Sequence, residues 1–157
     1  MIEKTCCFTG HRSIPPQAYG KIRKKLRQVM EELIGKGVIY YGCGGAIGFD
    51  LLAAETVLEM KAQYPQIRLI MVYPCRNQTA YWSGEAVDRY NAIQKACDKY
   101  VYVAQTYTSA CMHQRNRYLV EHSGYCICYL TKPSGGTAFT VQYAREKGLT
   151  VVNLADA

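Results

Sequence analysis

The sequence predicts a doubly wound α/β domain, with one parallel sheet of about six strands and helices on both faces. Three observations predict it. Apolar runs of strand length alternate with helix-period stretches from one end of the chain to the other. The runs are rich in Val, Ile and Tyr with little alternation, which implies burial on both faces and therefore a parallel sheet. The 157 residues, 49% of them hydrophobic, are enough for one domain and too few for two of ordinary size.

In chain order, residues 5–8 form the first strand, followed by Gly10-His11-Arg12 and a Pro15-Pro16 loop. The first helix places Tyr19, Ile22, Leu26, Val29 and Leu33 on one face at spacings of three and four, and Gly35 and Gly37 stop it. The second strand, 38–41, runs into Gly42-Cys43-Gly44-Gly45-Ala46-Ile47-Gly48-Phe49-Asp50. A helix follows over about 50–63, punctuated by Pro65. The third strand covers 67–72, and the loop over 74–84 is long for this class. A helix over about 85–97, a strand at 100–103, a helix over about 111–122 and a strand at 125–130 come next. The turn Pro133-Ser134-Gly135-Gly136-Thr137, a helix over about 137–147 and a strand at 150–154 close the pattern. The strand order expected for this winding is 3-2-1-4-5-6, with the switch point between strands one and four.

Ligands of such sheets lie beyond the carboxyl ends of the strands. All three glycine signals fall there: Gly10, the 42–48 stretch with Gly44, Gly45 and Gly48, and Gly135-Gly136. Glycine lets backbone N–H groups approach an oxygen closely, and a helix beginning at the turn adds unpaired donors and partial positive charge. Phosphate is the group this pattern suits. Neither a dinucleotide G-x-G-x-x-G nor a Walker lysine pattern is satisfied, because Gly42-x-Gly44-x-x-Ile47 fails at its last glycine. Thr137 adds a hydroxyl, and Arg12 and Arg115 supply charge-assisted hydrogen bonds. His11 is a candidate proton donor, phosphate ligand or plain loop histidine. Asp50 either caps its helix or binds a ribose hydroxyl. Gln78 is placed on ribose or base, and Trp82 and Tyr81 in the long loop either stack on a base or pack the loop down.

The formal charge of +7 is partly concentrated in Lys21, Arg23, Lys24, Lys25 and Arg27. Such a cluster reads first as a solvated helix face, with nucleic-acid binding as the sharper alternative. The eight cysteines include no Cys-x-x-Cys pair, and the three histidines do not complete a zinc pattern, so packing is the expected role. Cys43, beside a glycine turn, is the exception to watch. No signal peptide or membrane span is visible, so a soluble, cytoplasmic protein is expected.

Taken together, Phe8-Thr9-Gly10-His11-Arg12, the 44–50 stretch, Gln78 with Trp82, Arg89-Tyr90, Met112 with Arg115-Asn116, and Gly135-Gly136-Thr137 resemble the SLOG superfamily, in its YpsA-like branch. The resemblance spans nearly the whole chain. It implies a Rossmann-like domain that senses or processes nucleotide derivatives of the NAD or ADP-ribose type, with binding motifs on Gly10, Gly44, Gly45, Asp50, Gly136 and Thr137. Two relatives imply rival functions. The LOG phosphoribohydrolases use an arginine, which Arg115 resembles, and a glutamate whose place is Thr140 here. Threonine cannot stabilise positive charge developing on a ribose, so hydrolysis by that route is not expected. The DNA-processing protein DprA shares a stretch similar to residues 44–50, which implies single-stranded DNA as an alternative partner.

The expected function is therefore binding of a phosphate-bearing small molecule, a nucleotide or an NAD or ADP-ribose derivative, by a sensor or regulatory domain. No cofactor or metal is required, and a homo-oligomer is expected. The ligand residues are Gly10, His11, Arg12, Gly44, Gly45, Gly48, Asp50, Gln78, Trp82, Arg115, Asn116, Gly135, Gly136 and Thr137. If a reaction occurs, as in a nucleotide hydrolase, the candidates for it are His11, Asp50 and Arg115.

Overall fold

Six parallel strands form the sheet in a computed structural model that describes residues 1–156. The strands are β1 (Thr5–Gly10), β2 (Tyr40–Cys43), β3 (Arg68–Tyr73), β4 (Lys99–Tyr102), β5 (Tyr125–Tyr129) and β6 (Thr150–Asn153). The helices between them are α1 (Pro16–Gly35), α2 (Phe49–Met60), α3 (Gly84–Ala96), α4 (Cys111–Glu121) and α5 (Gly136–Glu146). Each element lies within a few residues of its expected place. Two Tyr positions depart from expectation, since Tyr19 and Tyr100 are both substantially exposed.

The sheet order is β4-β3-β2-β1-β5-β6, not 3-2-1-4-5-6. The chain winds outward through β2, β3 and β4 before it crosses back to β5. The residues explain why β4 sits at the edge. Tyr100 and Tyr102 pack against Tyr73 of β3, with ring centroids 6.1 and 5.5 Å apart, while Lys99 and Tyr100 face solvent. A strand with charged and exposed residues suits an edge, where one side meets water. The 103–110 segment then leads into α4, which packs across β3 and β1 on its way to β5.

Right-handed crossovers put the three helices of the outward run on one face and the two of the return run on the other. The packing follows this division. Phe8, Leu69, Met71, Tyr73 and Ile127 join α1, α2 and α3 in one core. Their strand neighbours Cys7, Val72, Cys126 and Cys128 join α4 and α5 in a second. Helix α2 lies between α1 and α3 and buries nine of its residues. Each fully buried Leu or Phe in it contributes about 1.5–3 kcal/mol. That anchorage is strong enough to carry Asp50 out of water with the helix.

All eight cysteines are free thiols, seven of them buried, and no two are disulfide-bonded among the described residues. No helix among the described residues is long and apolar enough to cross a membrane.

Candidate functional site

Because β1 and β5 are neighbours whose following helices go to opposite faces, the switch point lies between them. A cavity of about 380 Å³ opens there. Its walls are the end of β1 (Thr9 to Arg12), Ala46 and Asp50, one side of α4 (Met112, Arg115, Asn116), and the loop from Lys132 into Thr137.

The β5–α5 turn supplies its most open wall. Gly135 sits at φ +103°, a left-handed conformation that side chains rarely adopt, and a β-carbon on Gly135 or Gly136 would meet nothing within 4 Å. No side chain caps the start of α5. The first N–H groups of an 11-residue helix are thus left without intrahelical partners beside Ser134, Thr137 and Lys132.

The β2–α2 turn behaves differently. A β-carbon on Gly44 would overlap the Arg115 guanidinium, and one on Gly45 would press on the Tyr73 ring. Gly48, at φ +86°, lies against the backbone of Arg12, while Phe49 N–H donates to the His11 carbonyl at 3.1 Å. Gly44, Gly45 and Gly48 therefore stand one layer behind the cavity and do not line it.

Arg115 is the buried centre of the site, only 4% exposed. Its guanidinium donates to the Gly44 carbonyl, to Asn116 Oδ1 at 2.7 Å and weakly to Met112 Sδ at 3.7 Å. A guanidinium has five N–H donors, so these contacts do not exhaust it. Asp50, 6% exposed, accepts from the Ala46 N–H at 3.2 Å. Burial raises the Asp50 carboxyl pKa, and Arg115 is the strongest influence opposing it. Burial also lowers that of Arg115, against the opposing pull of Asp50. Yet Asp50, Arg12, Arg115 and Lys132 form no ion pair among the described residues. Three cations and one carboxylate thus share the cavity walls without neutralising one another directly.

His11 has a defined tautomer. The Thr131 N–H donates to its Nε2 at 2.8 Å, so Nε2 is an acceptor and Nδ1 holds the hydrogen. Burial, then the nearby Lys132, holds its pKa below the ordinary value. The ring meets Tyr129 edge-on, with centroids 5.7 Å apart. In this state His11 is a neutral ring and brings no positive charge to the cavity wall.

The structure thus gathers Gly10, His11, Arg12, Asp50, Arg115, Asn116, Gly135, Gly136 and Thr137 around one space. Gln78 and Trp82 lie elsewhere. Gln78 is buried and its Nε2 donates to the Gly44 carbonyl at 3.4 Å, placing it behind Arg115. Trp82 packs edge-on against Tyr90, and Tyr81 is fully exposed. Cys43 is buried, its thiol donates to the Asp50 carbonyl at 3.2 Å, and burial pushes its pKa up, so it is a packed thiol rather than a nucleophile. Thr140 is buried and its hydroxyl donates to the Gly136 carbonyl at 2.9 Å, leaving Asp50 as the one carboxylate on the cavity wall among the described residues. Lys132 and Ser134 were missed from the sequence. Reading the whole Lys132-Pro133-Ser134-Gly135-Gly136-Thr137 stretch as one anion loop would have found both.

A doubly wound parallel domain with a cationic cavity at its switch point is the class that fold and site define. The family model for YpsA, described as the YspA SLOG family, matches residues 6–151, and the chain belongs to that family. It is 28% identical over 139 residues to the "Uncharacterized SPbeta prophage-derived protein YoqJ" of Bacillus subtilis, covering 80% of this chain and 81% of that one. It is 30% identical over 129 residues to a UPF0398 protein of Brevibacillus brevis, covering 80% and 69%. Among solved structures, DNA processing protein A from Helicobacter pylori, described by its single-stranded DNA binding mode, superposes with a TM-score of 0.67 at 18% identity. The counterpart from Streptococcus pneumoniae gives 0.67 at 16%. The superpositions cover 96% and 94% of this chain but only 64% and 48% of theirs, and at such identity they establish a shared fold.

Proposed function

We propose that the chain binds a phosphate-bearing small molecule, a nucleotide or a derivative of the NAD or ADP-ribose type, as a sensor or regulatory domain. The observation that carries this reading is the uncapped start of α5 facing a cavity with three cations that have no ion-pair partner among the described residues. A helix N-terminus contributes about 0.3–1 kcal/mol to an anion and up to about 2 in partly buried geometry. Each hydrogen bond to a charged group adds about 1.5–3 kcal/mol. One helix end and three cationic contacts therefore approach the roughly 8 kcal/mol that micromolar affinity requires. Asp50, at the other wall, has acceptor capacity left for a ribose hydroxyl.

Two rival readings are separable from this one. Asp50, a buried carboxyl with a raised pKa, is a fitting proton-transfer group for a nucleotide hydrolase. Single-stranded DNA, named for the Helicobacter pylori structure, would use the basic cluster of α1. That cluster is largely engaged internally, however. Arg23 and Arg27 pair with Glu59, and Lys25 donates to the carbonyls of Leu154 and Asp156.

Titration calorimetry with AMP, NAD, ADP-ribose and a deoxythymidine oligomer, each paired with chromatography of the mixture, tests the three together. A nucleotide is expected to bind and emerge unchanged, with affinity about tenfold lower in Lys132→Ala, equal to the loss of about 1.4 kcal/mol. Lys132 is exposed, so the substitution leaves the fold intact. Release of free base or phosphate would replace binding by hydrolysis. Preference for the oligomer, or indifference to Lys132→Ala, would discard the phosphate cavity.

A further inference from the structure

The cavity is small. At about 380 Å³ it lies near the lower end of the range for ligand sites, roughly 300–1,000 Å³. Its lining includes no Phe, Tyr or Trp among the described residues, so a base whose phosphate sits at the start of α5 finds no such ring inside it. Neither Trp82 nor Tyr81 is there to receive it.

An aromatic pair lies just outside this lining, on the same two helices that form part of it. Phe139 occupies the first turn of α5, three residues after Gly136, and its N–H donates to the Gly135 carbonyl at 3.0 Å. Its ring meets that of His113 with centroids 4.4 Å apart. His113 stands on α4 between the wall residues Met112 and Arg115. A surface cleft and a narrow packing gap border this pair, and both share residues with the cavity wall. The cleft runs from Phe139 along Lys132, Ser134 and Gly135, and the gap lies between Phe139, His113 and Asn116. Lys132, Ser134, Gly135 and Asn116 also line the cavity itself.

Phe139 is anomalous as a packing residue. The chain has three phenylalanines; Phe8 and Phe49 are buried, whereas Phe139 is 51% exposed. Unlike the exposed tyrosines it has no hydroxyl for water to bind, so its exposure has no polar compensation. Every nucleobase has a π-face, and stacking on an aromatic side chain is tolerant of base identity.

We propose that Phe139, backed by His113, is the stacking platform for the base of a nucleotide whose phosphate occupies the N-terminus of α5. This rests on the phosphate reading above and adds the partner for the remaining half of the ligand. The platform recognises a planar aromatic ring as such, without selecting one base by hydrogen bonds.

The test compares AMP with ribose 5-phosphate, which has the phosphate and sugar but no base, on the whole chain and on Phe139→Ala and Phe139→Trp. Wild type is expected to bind AMP about tenfold more tightly than ribose 5-phosphate. Phe139→Ala should abolish that difference by weakening AMP alone. Phe139→Trp should restore it, with indole fluorescence quenched by AMP and untouched by ribose 5-phosphate. Equal affinity of wild type for the two ligands, or equal effects of Phe139→Ala on both, would overturn the platform while the phosphate reading stood. Failure of wild type to bind either would remove the phosphate reading, and the platform with it. Sedimentation of the same variants decides a different occupant. A loss of self-association in Phe139→Ala with AMP affinity unchanged would assign the ring to a contact between copies and overturn the proposal.

Discussion

The turns after β2 and β5 are both rich in glycine, both end parallel strands and both open a helix, yet one is filled by protein and the other is bare. Gly44 makes room for Arg115, Gly45 for Tyr73 and Gly48 for the Arg12 backbone. Gly135 and Gly136 make room for nothing among the described residues. The first turn uses the missing side chains to bring distant segments together, and its product is the buried position of Arg115. The second leaves its amides open beside Lys132 and Ser134. A glycine-rich turn thus marks a close approach of something to the backbone, and only its surroundings say whether that something is the protein or a ligand.

The harshest way to break this contrast is Gly48→Ala. A β-carbon there collides with backbone, which cannot rotate away, and φ +86° adds strain for any side chain. Overpacking and left-handed strain together should cost about 3 kcal/mol, read as a lower midpoint in urea at unchanged slope. Stability within about 0.5 kcal/mol of wild type would mean that the two loops are not locked together as described.

Gly136→Ala should do the opposite. Its β-carbon meets open space and alanine favours the helix, so stability should hold or rise by up to about 1 kcal/mol. Affinity for a phosphate ligand should nevertheless fall roughly tenfold, a loss of about 1.4 kcal/mol. Unfolding and ligand titration of this one variant would show stability and binding parting company. If both fell in parallel, the β5 turn would be a packing turn like its counterpart.

The smallest effect concerns the link between the β1 and β5 ends. Protonating His11 at Nε2 breaks its bond from the Thr131 N–H. Its pKa is lowered in the folded protein, by burial first and then by Lys132, so the unfolded chain takes up the proton first. The His11 contribution is therefore intact above about pH 6.5 and declines as pH falls towards the folded value. Asp50, whose pKa is raised by burial, acts in the reverse sense at lower pH. Unfolding midpoints followed down from pH 7 should fall less steeply in His11→Asn than in wild type. Equal slopes would remove His11 from the coupling of the two loops.

Much of the molecule was readable before folding was considered. The apolar face of Ile22, Leu26 and Leu33, the stop at Gly35 and Gly37, and the turns at strand ends are local matters of period and backbone freedom. Gly10 and Gly136 stand out on the same grounds, Arg12 and Arg115 as charged donors beside turns, and the four meet at one cavity. Gln78 and Trp82 do not line that cavity, and nothing in a loop's composition says which way it folds down. Lys132 escaped attention because a lone lysine before a proline resembles any solvated loop residue.

Local order therefore determined the alternation of strands and helices and the positions of the glycine bends, since each depends on residues only a few places apart. Tertiary structure decided that β4 lies outside β3, that β5 rather than β4 borders β1, and that the bend after β2 closes on Arg115 while the bend after β5 stays open. Those outcomes depend on side chains tens of residues away competing for the same space. Tyr73 against Tyr102, and Arg115 beneath Gly44, acquire their partners only when the sheet has assembled.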